Sequence, residues 1–214
     1  MKILVTGFDP FDKEKINPAY EAVKLLPAQI YGADIIKLEI PTVFGRCAEM
    51  VEKAIEHHNP DVVICVGQAG GRSCISVEKV AINFAEARIP DNDGNQPLDK
   101  AIVPDGPAAY FSTLPVKAMV ENVRSYGIPS NLSYSAGTFV CNDVMYRLLH
   151  MLSTKYHHIK GGFIHVPYTL AQAATKPDGT AGWDEATISK GLEYAIEAVV
   201  LNKESTSSVL GTTH

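Results

Sequence analysis

The 214-residue chain is short of several things that would otherwise direct its reading. Its four cysteines, Cys47, Cys65, Cys74 and Cys141, are scattered and form no CxxC pair. That excludes a small disulfide scaffold, and with no HExxH spacing either, there is no metal-site signature. No apolar run approaches the ~20 residues that cross a bilayer. The opening Ile3-Leu4-Val5 reaches Gly7 too soon to be a signal peptide. Basic charge is not in excess: 19 Lys and Arg against 24 Asp and Glu give a net charge of -5. A general nucleic-acid binder or an anionic-membrane binder is disfavoured. There is no internal repeat and no linker-like stretch. These absences point to a soluble protein of the reducing cytoplasm.

What is present is an apolar chain, 46% hydrophobic, long enough for one large domain. At this size roughly 70% of the unfolded surface can be buried, so the core needs no staples. Short apolar runs at 3–6, 35–40, 62–66, 131–135 and 162–166 read as strands. They alternate with segments of helical period: one opening at Pro18 behind the cap Asn17, one around Ala48 to Ile55, and others at 114–126, 139–152 and 183–201. This rhythm predicts a mostly parallel α/β sheet with helices on its faces. Residues 76–84 read as an irregular strand or loop, and 89–106 as a long polar loop, mobile or functional. One domain over 1–202 is expected, with a flexible tail over 203–214.

Cys141 is the candidate nucleophile. It lies where a strand turns into a helix, and with Thr138 as cap it falls in the first turn, whose positive end favours a thiolate. Free cysteine is also a common small core residue. Cys47 on a helix stripe and Cys65 in an apolar strand take that reading, while Cys74 fits either. His165, near the carboxyl end of its strand, sits where open α/β sheets build their sites. It would serve as base and then acid to a leaving amine, or else be a buried histidine bonded to backbone. Glu78, flanked by apolar residues, would orient that imidazole, or would pair in water with Lys79 or Arg88. Asp143 is a second carboxylate near Cys141. Gly67-Gln68-Ala69-Gly70-Gly71-Arg72 follows a strand, but GxGxxG fails and no Walker lysine follows. Those glycines allow close backbone approach or a tight turn.

Four segments taken together are distinctive. They are Glu78-Lys79-Val80-Ala81-Ile82-Asn83, Ala87-Arg88-Ile89-Pro90-Asp91-Asn92, Ser135-Ala136-Gly137-Thr138-Phe139-Val140-Cys141-Asn142 and Phe163-Ile164-His165-Val166-Pro167. In this order, behind Gly7-Phe8-Asp9-Pro10-Phe11, the chain resembles the pyrrolidone-carboxylate peptidase (pyroglutamyl peptidase type I) family. The resemblance implies a single-domain α/β/α sandwich around a twisted, mostly parallel mixed sheet. It also implies a cysteine peptidase that removes N-terminal pyroglutamate from peptides through a thioester, commonly as a homotetramer and without metal or organic cofactor. Carried over by motif, the triad is Glu78, Cys141 and His165. The ring pocket is Phe8, Phe11 and Phe139 with Gln68 close to the ring amide, and Arg88 supports the catalytic environment. Where the family has glycine after Phe11, this chain has Asp12-Lys13. Two other readings share the scaffold: a non-catalytic small-molecule module and a phosphate-dependent enzyme like the nucleoside phosphorylases.

Overall fold

The computed structural model describes residues 1–203 and 209–211. The chain opens with β1 (Lys2–Phe8), then, past α1 (Pro18–Leu25) and the short β2 (Gln29–Ile30), β3 (Ala33–Ile40). After α2 (Arg46–His58) comes β4 (Val62–Gln68). The middle of the chain supplies β5 (Ile75–Glu78), β6 (Val80–Ile82), β7 (Ala109–Phe111), α3 (Val116–Ser125) and β8 (Ser130–Ser133). Next are α4 (Val140–Thr154), β9 (Lys160–Val166), β10 (Tyr168–Thr169), α5 (Leu170–Ala173), β11 (Gly182–Trp183) and α6 (Glu185–Val200).

The main sheet has the order β2-β3-β1-β4-β9-β5-β8. The pairs β3–β1, β1–β4, β4–β9 and β5–β8 are parallel, whereas β5 runs antiparallel to β9 and β2 to β3. Burial on both faces explains the near-continuous apolar runs of β1, β4 and β9. Alternate residues feed two cores. Ile3, Val5, Ile64, Val66 and Ile164 face α1, α3 and α6, and pack with Ala22, Met119, Val120, Leu192 and Ile196. Leu4, Val63, Cys65 and Phe163 face α2 and α4, and pack with Val51, Ile55, Met145 and Leu148. The result is the mixed, mostly parallel α/β/α arrangement that the sequence implied.

Asn17 caps α1, its side chain accepting from Ala19 N at 3.1 Å. The ambiguous stretch 76–84 resolves into two strands that belong to different sheets, broken at Lys79. Residues 89–106 hold no named helix or strand, but backbone bonds between Ala85 and Lys100, at 2.7 and 3.1 Å, close the loop into a paired base. Of the tail, 204–208 and 212–214 lie outside the described residues. Within the described part, Leu132 N donates to the Leu210 carbonyl at 3.3 Å beside a bridge to Gly211. Among the described residues, no helix is long and apolar enough to cross a membrane.

Candidate active site

The parallel strands end together, and the first turn of α4 meets them there. Phe139 is the N-cap residue of α4 and makes no side-chain cap bond, so Cys141 is the second helical residue. The expected cap, Thr138, turns away: its hydroxyl donates to the Glu86 carbonyl at 2.7 Å. The first amides of a helix have no intrahelical acceptor, and they concentrate positive potential around that turn. Two neighbours of Cys141 lock the turn in place. Asn142 accepts from Ile82 N at 3.0 Å and donates to the Ile82 and Phe84 carbonyls at 2.9 and 3.0 Å. Asp143, buried, accepts from Gly45 N and from Arg147 Nε, each at 2.9 Å. Asp143 is therefore a brace between α4 and the loop before α2.

Gly67 in β4 shows how tightly the thiol is enclosed. A Cβ at Gly67 would fall 2.9 Å from the Cys141 Sγ and 2.7 Å from the Phe163 ring. Only hydrogen fits there. In register, Gly67 lies beside His165 of β9, so the missing side chain opens room at the junction of thiol and imidazole.

His165 and Glu78 meet because β5 runs against β9. Ser76 pairs with His165 and Glu78 with Phe163, which puts both polar side chains on the α4 side of the sheet. The His165 Nδ1 lies 2.7 Å from the Glu78 Oε1, with Glu78 fully buried and His165 3% exposed. The same oxygen accepts from Arg72 Nη1 at 2.7 Å. An oxygen already accepting from a guanidinium takes the imidazole proton as well, so Nδ1 is the protonated nitrogen and Nε2 the free base.

Burial sets the protonation states. It pushes the Cys141 thiol up to about 12; the Glu78 charge adds to this and the Arg72 charge opposes it. It pushes His165 down from 6.5, against the hydrogen bond and charge of Glu78 and with the help of Arg72. At neutral pH both groups are therefore neutral, a thiol and an imidazole lining one cavity, and the thiol would need a general base to ionise. Cys47 and Cys65 are wholly buried, and burial raises both thiols, Cys65 to about 12.

Cys141 and His165 open on a cavity of about 160 Å³ whose lining is mostly apolar. Phe8, Phe11, Phe139 and Gln68 line it together with Asn17, Thr42 and residues 136–138. The Phe11 and Phe139 ring centroids lie 6.2 Å apart, and Phe44 meets Phe139 edge-on at 5.3 Å from behind. Gln68 Oε1 accepts from Gln172 Nε2 at 3.2 Å, which orients its amide. Polar loop contacts hold the mouth. Asp9 Oδ1 accepts from Thr42 N at 2.7 Å and from Asn92 Nδ2 at 3.1 Å, while Asp91 accepts from Phe44 N at 2.9 Å. The 89–106 loop is thus pinned to the pocket's outer wall through its first residues.

Some placements differ from the sequence reading. Arg88 is exposed, and its carbonyl accepts from Gln96 Nε2. The arginine on Glu78 is Arg72, which reads in sequence only as the end of a glycine-rich turn. Asn17, Thr42 and Phe44 also reach the pocket or its backing without a motif to announce them. Asp12 and Lys13, where the family has glycine, both adopt left-handed backbone, with φ of 50° and 64°. The turn keeps a glycine-like path without glycine. Among the described residues, no group of three or more His, Cys, Asp and Glu is placed to hold a metal ion.

Comparison with known proteins converges on one family. The profile described as pyroglutamyl peptidase matches residues 1–202. A pyrrolidone-carboxylate peptidase of Enterococcus faecalis is 59% identical over 214 residues, all of both chains. One from Clostridium perfringens is 56% identical over 211 residues, 99% of each chain. Among solved structures, pyroglutamyl peptidase I of Bacillus amyloliquefaciens superposes with a TM-score of 0.93 at 45% identity, covering 97% of this chain and 99% of that one. Pyrrolidone carboxyl peptidase of Thermococcus litoralis gives 0.92 at 37% identity, covering 98% and 99%. The chain belongs to the pyroglutamyl peptidase family of enzymes.

Proposed function

We propose that the protein hydrolyses the amide bond after an N-terminal pyroglutamyl residue of a peptide, with Cys141 as nucleophile, His165 as base and acid, and Glu78 as the orienting carboxylate. The observation that carries this reading is the shared opening of Cys141 and His165 onto one apolar cavity, with the imidazole held at 2.7 Å by a buried carboxylate. The pyroglutamyl ring is uncharged and carries an amide N–H and a carbonyl. It suits an aromatic slot with few polar groups, whereas an ordinary charged amino terminus would lose its hydration there.

As Cys141 attacks the pyroglutamyl carbonyl carbon, its thiol proton passes to His165 Nε2. The carbonyl electron pair moves onto oxygen, giving a tetrahedral oxyanion in front of the free amides of the first turn of α4. Imidazolium, now paired with Glu78, donates its proton to the departing nitrogen, and the C–N bond breaks to leave a thioester. His165 then takes a proton from water, hydroxide attacks the thioester carbon, and the C–S bond breaks. Pyroglutamate leaves and the thiol regains its proton. No step calls on a cofactor. A reducing cytoplasm suits a reaction that depends on a free thiol, and a homotetramer is the assembly the resemblance implies.

The test compares reporter amides of pyroglutamate and proline on the wild type and on Cys141→Ala. Turnover of the pyroglutamyl reporter, weak turnover of the prolyl one and loss of both in the folded variant are expected. Equal cleavage of the two reporters would defeat the ring pocket, and turnover by Cys141→Ala would defeat the nucleophile.

A further inference from the structure

One charged side chain in the site has no part in the steps above. Arg72 stands on the loop between β4 and β5, its side chain 28% exposed. Its Nη1 donates to Glu78 Oε1 at 2.7 Å and its Nη2 to the Ser135 carbonyl at 3.0 Å. Ser135 begins the stretch that lines the pocket at 136–138 and leads into Phe139 and α4. One guanidinium therefore joins the β4–β5 loop, the carboxylate behind His165 and the pocket wall beside Cys141.

The geometry suits arginine in particular. Two acceptors on different segments fit a planar fork, which a lysine ammonium cannot match with one nitrogen. The Glu78 carboxylate is fully buried, and among the described residues its Oε2 has no hydrogen-bond partner, so its hydrogen bonds there pass through Oε1. A buried carboxylate facing only a neutral imidazole would carry an uncompensated charge.

Resting on the function proposed above, we infer that Arg72 is a positioning residue of the hydrolysis: it clamps Glu78 onto His165 and, through Ser135, fixes the pocket wall next to Cys141. The charged groups acting on the imidazole are Glu78 on β5 and Arg72 itself; Cys141 on α4 shares its cavity and feels Glu78, Arg72 and Cys65, while Cys74 feels Arg72 and Arg124. The positive charge of Arg72 opposes protonation of His165 and favours ionisation of Cys141. Both effects favour transfer of the thiol proton. Without Arg72, Glu78 would hold a proton on the imidazole to higher pH, and the base would be lost on the acid side.

The experiment measures kcat and KM on the pyroglutamyl reporter across pH for wild type, Arg72→Met, Arg72→Gln and Arg72→Lys, with folding checked by circular dichroism. For Arg72→Met and Arg72→Gln, kcat at neutral pH is expected to fall by about 100-fold, more than KM changes. Their acid limb should move up by about one pH unit. Arg72→Lys should return the limb to near its wild-type position while recovering the rate only in part. Gln or Lys carries the test if the Met variant does not fold. Wild-type kcat and pH profile in a neutral variant would overturn the inference. So would equal rate losses in all variants with an unmoved limb, the mark of a merely structural role. A wild type inactive on the reporter would instead defeat the function itself, and the inference with it.

Discussion

The two sides of the cavity are built differently. On one side, Glu78, His165 and Gly67 stand on paired strands and Cys141 on a helix, so their positions follow from sheet register and the first turn of α4. On the other, Phe11 sits on an irregular loop whose shape rests on Asp9, Asn17, Thr42 and Asn92. The proposed reacting groups thus lie on regular elements, whereas the proposed ring pocket is mixed: Phe8 and Gln68 end β1 and β4, and Phe11 stands on a loop held by hydrogen bonds. Changes on the strand side should act on kcat, and changes on the loop side on KM.

The largest break in that contrast is Glu78→Gln. The amide can leave His165 in the wrong tautomer, and kcat should fall by about 10³-fold or more with KM within a few-fold. A variant near wild-type kcat would show that the carboxylate does not orient the base. Next is Gly67→Ala, where the new methyl meets Sγ and a buried ring at 2.9 and 2.7 Å. Displacing either costs about 1–3 kcal/mol, and the variant should lose stability by that amount on urea titration together with about 10–100-fold in kcat. An unaltered unfolding midpoint would contradict the enclosure of the thiol.

On the loop side, Phe11→Ala should raise KM by about 10-fold while kcat stays within about threefold, since the change removes apolar contact without touching the reacting groups. A fall confined to kcat would erase the distinction between the two sides. The proton states separate them too. The base must be neutral, and burial holds His165 below 6.5, so kcat/KM should stay flat through neutrality and fall only below that pH. With the thiol raised to about 12, alkylation of free Cys141 should still climb in alkaline solution. A plateau already reached in acid would mean a preformed thiolate–imidazolium pair. The smallest effect belongs to Asp12→Gly, which relieves a left-handed backbone and should stabilise the fold by about 0.5–1 kcal/mol with unchanged kcat. Destabilisation in thermal melts would argue against strain at that turn.

The same contrast governs how much could be read from sequence. The apolar runs of β1, β4 and β9 were legible because burial on both faces demands such runs, and the amphipathic stripes marked most helices. Cys141 and His165 declared their elements, and the motifs of the resemblance drew Glu78 to them. Arg72 was not legible, since an arginine closing a glycine-rich turn looks like a solvated charge until β5 is laid antiparallel beside β9. Phe44 was hidden for a similar reason: its ring reaches Phe139 from a loop with no periodicity of its own. Thr138 has a capping residue's type, but α4 begins one residue later, with Phe139 at its N-cap, and the Thr138 hydroxyl donates to the Glu86 carbonyl instead. Local chemistry predicts elements, whereas tertiary acceptors decide which side chains serve them.

The central claim is that Cys141 carries the acyl group. Acid quenching during turnover of a pyroglutamyl ester, followed by proteolysis and mass mapping, tests it directly. A pyroglutamyl thioester on the peptide containing Cys141, absent from a parallel Cys141→Ser digest, is the expected result. A pyroglutamyl adduct on Cys47, Cys65 or Cys74, with Cys141 unmodified, would contradict it.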